Sequence, residues 1–112
     1  MDSVEDLVLV RNVRDPDRLA RAAEERGLLV YSLAGLGLPR TFVVMTKRYK
    51  EFVVSAAEGD RTPPSEVEGA LTGVLRDKPR ELSAEEKYIA ALAALSTAGE
   101  LVYTGDGWQR GN

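Results

Sequence analysis

At residue 46 the spacing of the apolar side chains changes, and that change limits the chain to a fold in two parts. Before it, apolar residues fall in short dense runs at 6–13, 28–34 and 40–46, rich in Val and Leu. Runs of this length and composition read as strands. After it, Tyr49, Phe52, Val53, Ala56 and Ala57 recur at i, i+3, i+4, i+7 and i+8, which is one face of a helix. Val67, Ala70, Leu71, Val74 and Leu75 repeat the spacing. So do Tyr88, Ile89, Leu92 and Leu95. These three stripes are predicted to face inward, and Tyr49 and Phe52 are placed in the core by theirs.

The punctuation between these segments is explicit. Asp15-Pro16 supplies a capping side chain followed by proline at the first helical position, with Leu19, Ala22 and Ala23 on the inner face of the helix that follows. Gly27 ends that helix by adopting a left-handed conformation. Residues 35–39 (GLGLP) form a loop, and residues 28–34 and 40–46 form a hairpin about it. Thr46 caps the next helix and Gly59 stops it. Thr62-Pro63 opens the third, and Pro79 closes it. Ser83-x-x-Glu86 is a capping box, and Gly99 stops the helix it begins. The tail reads as a strand, a Gly-Asp-Gly turn and a return strand. The order β-α-β-β-α-α-α-β-β groups like elements together. It predicts an α+β fold, a mostly antiparallel sheet packed with about four helices. At 112 residues, one domain spanning 1–112 is expected.

Composition narrows the chemistry. There is no Cys and no His. Disulfides, thiol nucleophiles, Cys/His zinc sites and histidine acid–base catalysis are therefore excluded. Carboxylate neighbours such as Glu24/Glu25, Glu66/Glu68 and Glu85/Glu86 lie on charged helix surfaces, where solvated acids are the ordinary case. Gly35-x-Gly37 lacks the third glycine and the following helix of a nucleotide loop. The expectation is a protein that is not an enzyme and uses no cofactor or metal. Apolar runs are too short to span a bilayer, and the N-terminus opens with acids, so no membrane partner and a cytoplasmic location are expected. Gln109 is the only glutamine, and Asn12 and Asn112 are the only asparagines. This scarcity resembles thermophile composition, or reflects chance in a short chain.

The net charge of −3 does not suggest a strongly basic nucleic-acid protein, but its distribution is uneven. Residues 40–50 hold Arg40, Lys47, Arg48 and Lys50 and no acid. A local patch steers a ligand more than the total charge does. Lys47, Arg48 and Lys50 fall in the first turn of the predicted helix, where the amide dipoles are already positive and each cation costs about a few tenths of a kcal/mol. Cations added to free N–H groups make an anion site, with phosphate the commonest anion. The alternative is a solvated basic edge paired with Glu51 or with the acidic residues between 58 and 68. Tyr49, Phe52, Tyr103 and Trp108 offer aromatic surface of the kind single-strand binders use, although the inward stripe places Tyr49 and Phe52 in the core. Trp108, beside Gln109 and Arg110, serves either as a core lid or as a contact residue.

Residues 88–110 (YIAALAALSTAGELVYTGDGWQR) resemble the last helix and wing of winged-helix proteins. Leu92, Leu95, Gly99, Leu101, Val102, Gly105, Gly107, Trp108 and Arg110 follow that outline, and the resemblance spans residues 47–110. It implies DNA binding. The helix in the recognition position is Ala-rich with Lys87 its only cation, so it has little with which to read base edges. The resemblance then implies binding through the wing alone, or protein contacts.

The expected function is nucleic-acid binding, single-stranded DNA or RNA favoured. Its contacts are Arg40, Lys47, Arg48, Tyr49, Lys50, Tyr103, Trp108 and Arg110. The alternative is an interaction or dimerisation module, with the Gly69/Gly73 pair marking close helix packing or a dimer contact.

Overall fold

A computed structural model describes residues 6–77 and 81–111. The elements are β1 (Leu7–Val10), α1 (Pro16–Glu25), β2 (Leu28–Leu33), β3 (Leu38–Thr46), α2 (Lys47–Ala57), α3 (Pro64–Arg76), α4 (Ala84–Thr97), β4 (Leu101–Thr104) and β5 (Gly107–Arg110). A short 3₁₀ turn, Ala34–Leu36, joins β2 to β3. The fold is α+β, in the order the sequence predicts.

The caps explain why the elements begin and end where they do. Asp15 accepts from Arg18 N, with Pro16 at the first position of α1. Thr46 Oγ1 accepts from Tyr49 N at 3.0 Å. Both halves of the Ser83–Glu86 capping box form. Gly27, Gly59 and Gly99 take the left-handed conformation that ends a helix. The predicted stop at Pro79 lies outside the described residues. β1 is shorter than the run 6–13, because Asn12 turns left-handed (φ 58°) and breaks the strand. One further bond, from Val13 N to Arg40 O, holds the chain beside β3. β3 instead starts earlier than residue 40 and includes Pro39. The proline is tolerated because β1 pairs only from Phe42 onward and the β2 register shifts at Ser32/Leu33, so no ladder donor is required there.

β3 is central, with β1 and β2 antiparallel to it on either side. β1 and β2 are thus parallel to each other, and α1 is the crossover between them. Successive side chains of a strand point to opposite faces. Leu7, Leu33, Val43 and Met45 belong to the main core with residues of α2, α3 and α4. Phe42, Val44 and Ala23 of α1 are buried outside that cluster and form a second, thinner layer where α1 packs on β2.

α4 is the hub of the molecule. It packs against α2, α3, all three strands of the sheet, and β4. Every residue from Ala90 to Leu95 is buried, not only the predicted stripe. A helix apolar on all sides is an interior helix, and its four alanines let neighbours approach closely. Such a helix leaves no face along its middle for reading a nucleic-acid groove.

β4 and β5 form a separate two-stranded sheet. It is fastened to the rest through Trp108, whose backbone pairs with the loop after α2: Gly59 N donates to Trp108 O at 3.1 Å, and Trp108 N donates to Asp60 O at 3.0 Å. Among the described residues no helix is long and apolar enough to cross a membrane.

Candidate functional site

The structure disperses the sequence-predicted patch. Arg40 lies near the start of β3 and Lys47 follows its end. At a rise of about 3.3 Å per residue they stand about 20 Å apart, so Arg40 does not join the cluster. Lys50 is ion-paired with Glu100, whose other oxygen accepts from Tyr31 Oη at 2.8 Å. It is therefore largely committed within the chain. Arg110 donates to Glu51 Oε2 at 3.3 Å, both side chains being well exposed. Such a pair is weak, but it places a carboxylate beside that cation.

Two aromatic assignments are corrected in the same way. Trp108 is only 1% exposed. Its Nε1 donates to Thr62 O at 2.8 Å, and its ring meets Tyr103 edge-on with centroids 5.2 Å apart. It is a core lid and cannot stack on a base. Tyr49, at 8% exposure, is also core. Tyr103 is half-buried and donates to Arg61 O at 2.9 Å.

Phe52 reverses in the opposite direction. Predicted as core, it is 60% exposed, the most exposed large apolar side chain among the described residues. The buried face of α2 is Tyr49, Val53, Val54 and Ala57, a stripe turned away from Phe52 and Ala56. The signal was present in the sequence. Val54 lies two positions from Phe52, about 200° around the helix. The neighbours that pack on α2 cover the Val54 side and not the Phe52 side.

What remains together is the exposed start of α2. Lys47 and Arg48 are exposed, and among the described residues no ion pair engages either. Their amide groups have no acceptor within the helix, since the first turn never does. Arg48 and Phe52 are four residues apart and so share one helix face. Tyr49 and Phe52 lie with ring centroids 5.8 Å apart. Beside them a recess of about 500 Å³ is lined by Asp6, Tyr49, Phe52, Ala84, Glu85, Lys87 and Tyr88.

Titration behaviour is that of a held structure. Burial, with a smaller contribution from the Asp6 charge, pushes the Tyr49 phenol up to about 12. Tyr31 and Tyr88 also move up, through burial and then through hydrogen bonds to Glu100 and Asp60. For Asp60, burial acts upward but is outweighed by hydrogen bonds from Tyr88 and Thr62, and the carboxyl sits below its usual range. Glu100 falls similarly, burial being overcome by Lys50 and Tyr31. Each of these shifts reinforces the charge state the group already has at neutral pH. Among the described residues no cluster of acids could hold a metal ion.

No family model, curated protein or solved structure matches this chain.

Proposed function

We propose that this protein binds single-stranded nucleic acid through the start of α2, with Lys47 and Arg48 on the phosphates and Phe52 as the stacking platform. The observation that carries the reading is the exposure of Phe52 on the same helix face as an unpaired Arg48. Folding alone favours neither a cation in the first turn of a helix nor a phenylalanine held in water. A ligand with a charged backbone and apolar ring faces suits both. The shifts at Tyr31, Tyr49, Tyr88, Asp60 and Glu100 all deepen the charge state each group already holds at neutral pH, which favours binding over catalysis. Two cations predict weak affinity with a modest salt slope of about 1.4.

The test is fluorescence anisotropy with labelled single-stranded DNA and RNA across a salt series. Wild-type protein is expected to bind at low salt and release at high salt. Lys47→Ala/Arg48→Ala is expected to lower the slope of log K against log salt by about 1.4, two single-strand phosphate contacts. Absence of binding at low salt, or an unchanged slope in the variant, overturns the proposal.

A second reading is self-association through α3. Gly69, Ala70 and Gly73 are exposed, and a methyl group added at either glycine would meet nothing within 4 Å. The pair does not serve packing inside the chain, although each glycine weakens the helix by roughly 0.5–1 kcal/mol. A second copy seated on this stripe would account for them. Sedimentation equilibrium decides it: a monomer at all concentrations removes this reading.

A further inference from the structure

Resting on the nucleic-acid reading above, we infer that the recess between α2 and the start of α4 receives one unstacked base, and that it selects bases carrying an exocyclic amino group over uracil and thymine. The walls are Tyr49, Phe52, Tyr88 and Ala84, an aromatic and apolar lining. Its volume of about 500 Å³ falls within the ~300–1,000 Å³ of small-molecule sites. Among the described residues its charged groups are the carboxylates of Asp6 and Glu85 and the ammonium of Lys87.

These groups divide the ligand. Two carboxylates repel a phosphate, so the phosphate lies outside the recess, where Arg48 shares the exposed face with Phe52. A base is uncharged and enters. The acids accept hydrogen bonds and cannot donate them. Cytosine, adenine and guanine present an amino group to a carboxylate, as base-reading acids require. Uracil and thymine offer a single ring N–H flanked by two carbonyl oxygens, and those oxygens face the acids unfavourably. Glu85 is exposed and engages no partner among the described residues. Among the described residues the Asp6 carboxylate meets one cation, in a loose 3.8 Å pair with Lys87. A bound base can therefore take both acids without breaking a core interaction.

The experiment is a comparison of labelled oligo-dC, oligo-dA and oligo-dT by anisotropy at one low salt concentration. Phe52→Ala, Glu85→Gln and Lys47→Ala/Arg48→Ala are measured alongside, each checked for an unchanged circular dichroism spectrum. Wild-type protein is expected to bind oligo-dC and oligo-dA about tenfold more tightly than oligo-dT, the order of one good base contact. Phe52→Ala is expected to weaken all three about tenfold, one lost stacked base. Glu85→Gln should narrow the preference, and the double cation variant should weaken every oligomer while leaving the ratios intact. Equal affinity for the three oligomers, with Phe52→Ala unaffected, overturns the base pocket while the phosphate reading survives. Failure of every oligomer to bind overturns both.

Discussion

The phenol of Tyr88, in the second turn of α4, donates a 2.7 Å hydrogen bond to Oδ2 of Asp60, in the loop that follows α2. The other oxygen of Asp60 accepts from both the backbone N and the hydroxyl of Thr62, and the carbonyl of Asp60 accepts from Trp108 N. One residue thus ties the central helix, the loop and the C-terminal hairpin together. Tyr88→Phe removes one charge-assisted bond and is expected to destabilise the protein by about 1.5–3 kcal/mol, read as a lower urea midpoint at unchanged slope. A midpoint within error of wild type would show that the Tyr88 bond holds nothing.

Stability should fall at both ends of the pH scale. The folded-state pKa values of Asp60 and Glu100 lie below their ordinary 3.8 and 4.5. Their contribution is therefore present above those values and is lost as acid protonates them. The tyrosines have the opposite sign. Tyr49 rises from 10.0 to about 12, and Tyr31 and Tyr88 rise with it. Their contribution is complete below pH 10 and is lost as pH climbs toward the folded values. Thermal melts across the range are expected to show a plateau between the two limbs. Asp60→Asn combined with Glu100→Gln should flatten the acid limb and reduce the alkaline one, leaving there the part due to burial of the tyrosines.

Glycine substitutions should split by position. Gly69→Ala and Gly73→Ala meet open space in a regular helix and are each expected to stabilise a monomer by about 0.5–1 kcal/mol. Gly107 has φ 106°, and a methyl group there would lie 2.8 Å from both Asp60 O and Gly59 C. Gly107→Ala is expected to destabilise by about 2 kcal/mol or more, from backbone strain and the forced separation of the hairpin from the loop. Calorimetry of the three variants separates these outcomes by sign.

Trp108 is the only tryptophan, so intrinsic fluorescence reports on it alone. Buried at 1% exposure with its Nε1 bonded to Thr62 O, it should emit at blue-shifted wavelength and resist quenching by iodide. Adding an oligonucleotide should not quench it by stacking. Efficient iodide quenching would return Trp108 to the surface.

The comparison of these residues with their sequence pattern shows where local reasoning holds. Ser83 with Glu86, Thr46 ahead of Tyr49, and the left-handed glycines Gly27, Gly59 and Gly99 were readable because each acts on backbone groups within a few residues. The candidate site was less readable. Lys47 and Arg48 kept their predicted exposure, but Lys50 was taken by Glu100, fifty residues away, and Arg110 by Glu51. Phe52, placed in the core by its stripe, is exposed, and Trp108, open between lid and contact, is buried, because a helical stripe or a turn motif does not state how wide the neighbouring surface is.

The amino-acid order alone determined the elements, the helix ends marked by Thr46, Ser83 and the left-handed glycines, and the α+β class, because hydrophobic period and capping chemistry are written in adjacent residues. Only the tertiary structure decided which apolar side chains are covered and which charges are paired. It enclosed α4 from Ala90 to Leu95, set the terminal hairpin apart from the three-stranded sheet, and left Phe52 in water. Burial and pairing depend on residues brought together from distant parts of the chain, and no spacing along it records their approach.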